Sequence, residues 1–130
     1  MVRWDKPPTL SESVEQQHLF RWAAYMAGQY PALNLMYHIP NEGKRSRSTG
    51  ARMKAEGLKP GVPDICLPVP VGQYHGLYIE MKAGKNTTTG NQDDWLEALS
   101  GQGYATEVCW GWEQAAVVIT KYLGVKTYER

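Results

Sequence analysis

Apolar residues recur at near-helical spacing in three long segments of the chain, and each segment predicts an amphipathic helix. The first extends from Thr9 to about Ala27, because Thr9 and Glu12 fit a capping box with Thr9 as the N-cap. Gly28 is a residue type that commonly ends a helix. The other two segments are residues 91–102 and 112–123. A fourth, shorter helix is predicted over residues 50–56, before Gly57.

Four apolar runs between these helices predict strands, over residues 33–39, 64–69, 76–82 and 104–110. Pro68 and Pro70 indicate that the second strand stops early or lies at a sheet edge. Residues 1–8 are expected to form an irregular lead-in. Strands that alternate with helices favour an α/β fold with a mixed central sheet flanked by helices.

Size and composition limit the possible classes of protein. A chain of 130 residues with 42% hydrophobic and 21% charged residues is expected to form one domain, residues 1–130, with one core. Cys66 and Cys109 stand alone in apolar runs, so they are expected to be buried, reduced thiols and not zinc ligands. No signal peptide and no apolar run of membrane-spanning length is visible, so we expect a cytoplasmic protein with no membrane contact.

The net charge is only +1, so a nucleic-acid partner can be inferred only from local clusters of charge. Residues 41–60 form such a cluster, with six basic and two acidic side chains. Runs of charge are often solvated loops, but this one leads directly to acidic residues. An acidic site needs flanking cations to accept a polyanion, and phosphate contacts supply most nonspecific affinity. The candidate DNA-binding residues are Lys44, Arg45, Arg47, Arg52 and Lys54.

Two charged residues, Glu80 and Lys82, stand in an otherwise apolar strand. Residues two apart in a strand share a face, while Met81 points to the other face. A hairpin through residues 72–76 would bring Asp64 beside Glu80. Two adjacent carboxylates repel each other unless a proton or a cation lies between them, and Mg²⁺ or Mn²⁺ prefers such oxygen ligands. Lys82 could then stabilise developing negative charge or orient water during phosphodiester hydrolysis.

The alternative for Glu80 and Lys82 is an exposed ion pair of little energetic value. That alternative is weakened by the aspartate after Gly-x-Pro and by the basic segment upstream. His18, His38 and His75 show no metal-ligand spacing and are expected to be structural or surface residues.

Together these residues resemble the PD-(D/E)xK nuclease signature, and in particular the VRR-NUC (virus-type replication-repair nuclease) domain. The resemblance covers residues 13–123 and includes the basic segment and the first helix. The residues that carry it are Gly61, Pro63, Asp64, Glu80, Lys82, Gln92, Trp95, Leu96 and Gly103.

The resemblance implies a restriction-endonuclease-like core in which Asp64 and Glu80 are metal ligands, helped by the backbone carbonyl of Met81. Lys82 would be the catalytic lysine. Glu15 would be the acidic residue that the first helix brings to the metal site, and Gln92 the glutamine that closes it. For Glu15 the alternative is a solvated residue at the rim of the helix, and for Gln92 a local helix cap.

The expected function is therefore that of a stand-alone Mg²⁺- or Mn²⁺-dependent DNA endonuclease. Stand-alone members of the family resemble junction-resolving enzymes, which implies branched DNA such as four-way (Holliday) junctions as substrate, a homodimer, and an origin in phages or prophages. A noncatalytic nucleic-acid-binding module, a flap or nicking nuclease, and a hydrolase of nucleotides remain the alternatives.

Overall fold

The fold is given by a computed structural model that describes residues 9–40 and 47–124. Lys44 and Arg45 lie outside these ranges, as do residues 1–8. The helices and strands occur in this order: α1 Glu12–Met26, a 3-10 helix Pro31–Leu35, β1 Tyr37–His38, α2 Arg47–Ala55, β2 Ile65–Leu67, β3 Leu77–Lys82, α3 Gly90–Gly101, β4 Ala105–Trp110 and α4 Trp112–Gly124.

The strands form one four-stranded sheet in the order β1-β2-β3-β4. β2 pairs with both β1 and β3 in antiparallel fashion, whereas β3 and β4 are parallel and are connected through α3. The predicted mixed sheet with flanking helices is therefore confirmed. β3 lies in the interior of the sheet, so the charged residues of this strand have neighbours on both sides.

One face of the sheet carries the hydrophobic core. Leu77, Ile79 and Met81 alternate along β3 and are almost fully buried, as the two-residue period of a strand requires. Helices α1 and α4 pack against each other over this face, with Leu19 from α1 and Ile119 from α4 completely buried. Both cysteines are buried free thiols, as expected.

Two local predictions need correction. The N-cap of α1 is Ser11 and not Thr9, since the Ser11 hydroxyl accepts a hydrogen bond from the backbone N–H of Val14. Residues 33–35 of the strand predicted over residues 33–39 belong instead to the 3-10 helix, which has Pro31 in its first turn, and only Tyr37–His38 pairs in the sheet. The φ angle of proline suits the first turn of a helix, and the apolar run alone did not distinguish the two structures. Within the described ranges, no helix is long and apolar enough to cross a membrane.

Candidate active site

The hairpin of β2 and β3 brings Asp64 and Glu80 together. Ile65 pairs with Ile79 in antiparallel register, so the residues next to this pair, Asp64 and Glu80, face each other. The Oδ2 atom of Asp64 accepts a hydrogen bond of 2.7 Å from the backbone N–H of Met81. Asp64 is 8% exposed and Glu80 only 1%. The predicted proximity of the two carboxyl groups is thus confirmed, and the backbone of Met81 contacts the carboxyl group of Asp64.

Lys82 lies on the same face of β3 as Glu80, as predicted. Its Nζ atom is 3.7 Å from Oε2 of Glu80, and the lysine side chain is also buried. A buried pair of this kind differs from the exposed ion pair considered as the alternative, because desolvation is costly and the surroundings screen the charges poorly. The three side chains therefore form one desolvated charged cluster.

The pKa of Glu80 reflects this crowding. Burial is the main cause that raises the pKa of Glu80 to about 9; the hydrogen bond and the negative charge of Asp64 also raise it, and the positive charge of Lys82 lowers it. Oε1 of Glu80 is buried and receives no hydrogen bond from the described residues. A bond between two carboxyl groups requires a shared proton, so the pair retains a proton at neutral pH unless a cation replaces it.

Gln92 connects this cluster to the start of α3. Its Nε2 donates a hydrogen bond of 3.3 Å to Oε2 of Glu80, while its Oε1 accepts one of 2.9 Å from the backbone N–H of Thr89. Both interpretations of Gln92 therefore describe real contacts, since it completes the capping box of α3 and also holds Glu80. Gly61 permits this arrangement: its φ is +88°, and a Cβ there would lie 2.7 Å from the backbone of Asn91.

The carboxylate of Glu15 lies at the start of α4 in this structure. Its Oε1 accepts a hydrogen bond of 3.3 Å from the backbone N–H of Trp112, and its carboxylate lies against Gly111. Glu15 thus satisfies an otherwise unpaired N–H in the first turn of α4, where negative charge is favourable.

Glu12, one helical turn earlier, is the acidic residue of α1 that lies beside the cluster. It borders a cavity of about 240 Å³ together with Asp64 and Met81, and its charge contributes to the raised pKa of Glu80. Oε2 of Glu12 also accepts a hydrogen bond of 3.0 Å from Asn86. The i, i+3 spacing places Glu12 and Glu15 on the same side of α1, but the family resemblance pointed only to Glu15.

His38 is a second residue near the cluster that sequence reasoning missed. Its Nδ1 lies 2.8 Å from the backbone carbonyl oxygen of Asp64, and the imidazole borders the same cavity. Because a carbonyl only accepts, Nδ1 carries the proton in this contact. The contact links β1 to Asp64, one of the three residues of the cluster.

The basic residues of the described part of the segment lie on α2. Helix α2 has no buried residue, and Arg47, Arg52 and Lys54 are all exposed. The Nε atom of Arg52 is 3.4 Å from Oε1 of Glu56, an exposed i, i+4 pair that contributes little to stability. These cations are accessible to an anionic ligand.

The available donor atoms fit a hard divalent cation. Within residues 9–40 and 47–124, no three side chains of His, Cys, Asp or Glu form a ready metal cage. Mg²⁺ is usually held by only one or two carboxylates and keeps several waters, and Asp64 and Glu80 provide that number. The buried Oε1 of Glu80, which lacks a donor, is the kind of atom that a cation would satisfy.

Comparisons with known proteins agree with this geometry. The sequence model of the VRR-NUC domain matches residues 7–112 of the chain. A solved structure described as a "VRR_NUC domain protein" superposes with a TM-score of 0.77 and is 28% identical in sequence, covering 90% of this chain and 91% of that chain. No curated protein matches the sequence.

Proposed function

Because this chain belongs to the VRR-NUC domain family, whose fold is of the nuclease type, we propose that it is a metal-dependent endonuclease that hydrolyses phosphodiester bonds in DNA. The observation that carries the proposal is the buried cluster of Asp64, Glu80 and Lys82 on the hairpin of β2 and β3. Burial of three ionisable groups costs folding free energy, and such clusters of perturbed groups are typical of functional sites.

In this proposal Asp64, Glu80 and the backbone carbonyl of Met81 hold Mg²⁺ or Mn²⁺, and Glu12 takes the place first expected for Glu15. The cation would supply Lewis-acid polarisation of the phosphoryl group and activation of water. Gln92 orients Glu80 through the 3.3 Å hydrogen bond, which leaves the other carboxylate oxygen available as a ligand.

Lys82 has a different role in the same reaction. Its ammonium group lies 3.7 Å from Glu80 and cannot ligate a cation while protonated. In a buried site it stabilises the negative charge that develops on the phosphoryl oxygens, where electrostatic effects are stronger than in water. It can also donate a hydrogen bond that orients the attacking water.

The substrate class is inferred from the exposed cations of α2. The exposed cations of α2 can contact the phosphates of DNA, although the protein as a whole is nearly neutral. We further propose that two copies associate with twofold symmetry and act on branched DNA such as a four-way junction, because paired incisions need two sites in a fixed relation. A monomer with the same site would instead be a flap or nicking nuclease.

A cleavage assay tests the proposal. The purified protein is incubated with duplex, flap and four-way junction DNA, in EDTA and with Mg²⁺ or Mn²⁺. We expect cutting only with metal, and loss of cutting in Asp64→Ala and Glu80→Ala while DNA binding largely remains. Glu97→Ala is the matched control, since Glu97 is an exposed carboxylate on α3.

Two results would contradict the proposal. If Asp64→Ala or Glu80→Ala cuts at the wild-type rate, the metal ligands are assigned incorrectly. If the wild-type protein binds DNA but cuts none of the substrates with either metal, the noncatalytic binding module becomes the better interpretation.

A further inference from the structure

The sheet face that carries Glu80 also carries a set of tyrosines. Tyr37 of β1, Cys66 of β2 and Tyr78 of β3 are cross-strand partners, so they lie side by side on one face. Tyr78 is two residues before Glu80 in β3 and shares its face. The helices of the core cover the opposite face, so these side chains do not fill that core.

Aromatic contacts extend this set toward β4. The rings of Tyr78 and Tyr104 meet edge to face at 5.2 Å, and the rings of His75 and Tyr104 meet in the same way at 5.7 Å. Cys66 lies between Tyr37 and Tyr78 in the sheet, and its thiol raises the pKa of both tyrosines. We call the four rings of Tyr37, Tyr78, Tyr104 and His75 the aromatic row.

The aromatic row is partly open to solvent. Tyr37 is 49% exposed and His75 is exposed, while Tyr78 and Tyr104 are half-buried. Their mutual contacts and the contacts to Cys66 restrict the rings, so less conformational entropy is lost when a ligand packs on them. A row of restricted, accessible rings is a feature that the proposed hydrolysis of a phosphodiester does not itself use.

We propose that the aromatic row binds unpaired bases of the nucleic acid whose backbone enters the carboxylate site. This inference rests on the proposed function and adds a preference for DNA with a single-stranded segment. Alternate residues of a strand are about 7 Å apart along the chain, close to two base steps of about 3.4 Å in a stacked strand. Bases stacked near Tyr78 would thus lie within a few nucleotides of the phosphate at Glu80.

The chemistry of the row favours bases over phosphates or a paired duplex. Tyrosine and histidine rings present faces on which any base can stack, and the row includes no lysine or arginine. Bases inside a duplex have both faces covered by their neighbours, so only unpaired bases can use the row. The cations of α2 can bind the phosphate backbone of both single-stranded and duplex DNA.

A binding assay tests this inference. Fluorescence anisotropy in EDTA compares a blunt duplex with the same duplex carrying a single-stranded arm. We expect the wild-type protein to prefer the armed DNA and Tyr37→Ala to weaken that binding by roughly 5- to 150-fold, the range for loss of one stacked base. Tyr37→Phe keeps the ring and should retain the preference.

Matched variants exclude a general effect of losing an exposed ring. Tyr25→Ala removes a tyrosine that is 86% exposed on α1, outside the row, and should bind both DNAs as the wild type does. His75→Ala removes a second member of the row and should also reduce the preference for armed DNA. Circular dichroism verifies folding, and His75→Ala carries the test if Tyr37→Ala does not fold.

The possible outcomes separate this inference from the proposed function. Equal binding of armed and blunt DNA by the wild type, or equal losses on both DNAs in the variants of the row, overturns the inference. So does a change from dimer to monomer in Tyr37→Ala with no selective loss on armed DNA, which would identify a protein interface. If binding of armed DNA depends on Tyr37 but no metal supports cutting, the inference holds and the proposed nuclease function fails.

Discussion

Glu80→Gln is expected to stabilise the metal-free protein near neutral pH, while it weakens metal binding. The raised pKa of about 9 means that the folded protein keeps a proton on this carboxyl group, whereas the unfolded chain releases it near the ordinary value of 4.5. Between these two values the folded state binds more protons than the unfolded state. The free energy of unfolding therefore falls as pH rises through this window.

The size of the effect follows from the same shift. Each pH unit inside the window corresponds to about 1.36 kcal/mol per proton. At pH 7 the upper limit is therefore roughly 3 kcal/mol, and we expect about 1 to 3 kcal/mol because Glu80 is coupled to neighbouring charges that act in opposite directions. Glutamine keeps the size of the side chain and cannot ionise, so the variant avoids this loss. The wild-type carboxyl group is already protonated at neutral pH, so the charge next to Lys82 does not change.

Urea unfolding in EDTA between about pH 5 and pH 8 measures the effect. The wild-type stability should fall across this range more steeply than that of Glu80→Gln, and the two curves should converge at the acidic end. Glu97→Gln, at an exposed site on α3, should follow the wild-type curve. Mg²⁺ or Mn²⁺ should stabilise the wild type more than Glu80→Gln, because a bound cation favours the ionised carboxylate.

The reasoning would be refuted by parallel curves for the wild type and Glu80→Gln throughout this pH range. Such a result would show that Glu80 has the same proton affinity in the folded and unfolded states. Equal stabilisation of both proteins by the metal would separately remove Glu80 from the proposed metal site.

Four further predictions concern the site residues, helix α2 and the oligomeric state. Lys82→Ala should cut at least about 100-fold more slowly in single-turnover assays while calorimetry shows retained metal binding; weakened metal binding would contradict this. Glu12→Gln should reduce metal affinity in calorimetry, whereas Glu15→Gln should mainly lower the free energy of unfolding, by about 1 kcal/mol; the reverse pattern would restore the original expectation. Replacing Arg47 and Arg52 with Ala should flatten the slope of log K against log salt by up to about 0.9 per lost contact, and an unchanged slope would make α2 a solvated surface. Light scattering at micromolar concentration should give twice the monomer mass of 14.6 kDa; a monomer with and without DNA would exclude paired incision.

The sequence by itself determined the sheet and the pairing of the two carboxyl groups. Glu80 and Lys82 share a face because side chains alternate along any strand, and a hairpin between β2 and β3 brings Asp64 beside Glu80, as the observed register confirms. These are local relations, since strand periodicity and short hairpins depend on residues close in the chain. The bounds of α3 and α4 followed from periodicity in the same way, to within one residue.

Only the tertiary structure decided which helical carboxylate approaches the cluster. Glu12 and Glu15 are one turn apart on α1 and equally suited by sequence. The choice depends on α4. The backbone N–H of Trp112 in its first turn donates a hydrogen bond to Glu15, 97 residues away in the chain. Such a contact is set by the packing angle between two helices, which no local pattern records.

The same reason explains the residues that sequence reasoning missed. His38 reaches the backbone of Asp64, 26 residues away, only because β1 pairs with β2. The aromatic row joins rings from β1, from β3 and the residues before it, and from the residue before β4, which only the strand order brings to the same face of the sheet. The sequence predicted the helices, most of the strands and the pair of carboxyl groups. The packing of these elements against one another decided which other side chains surround the carboxyl groups.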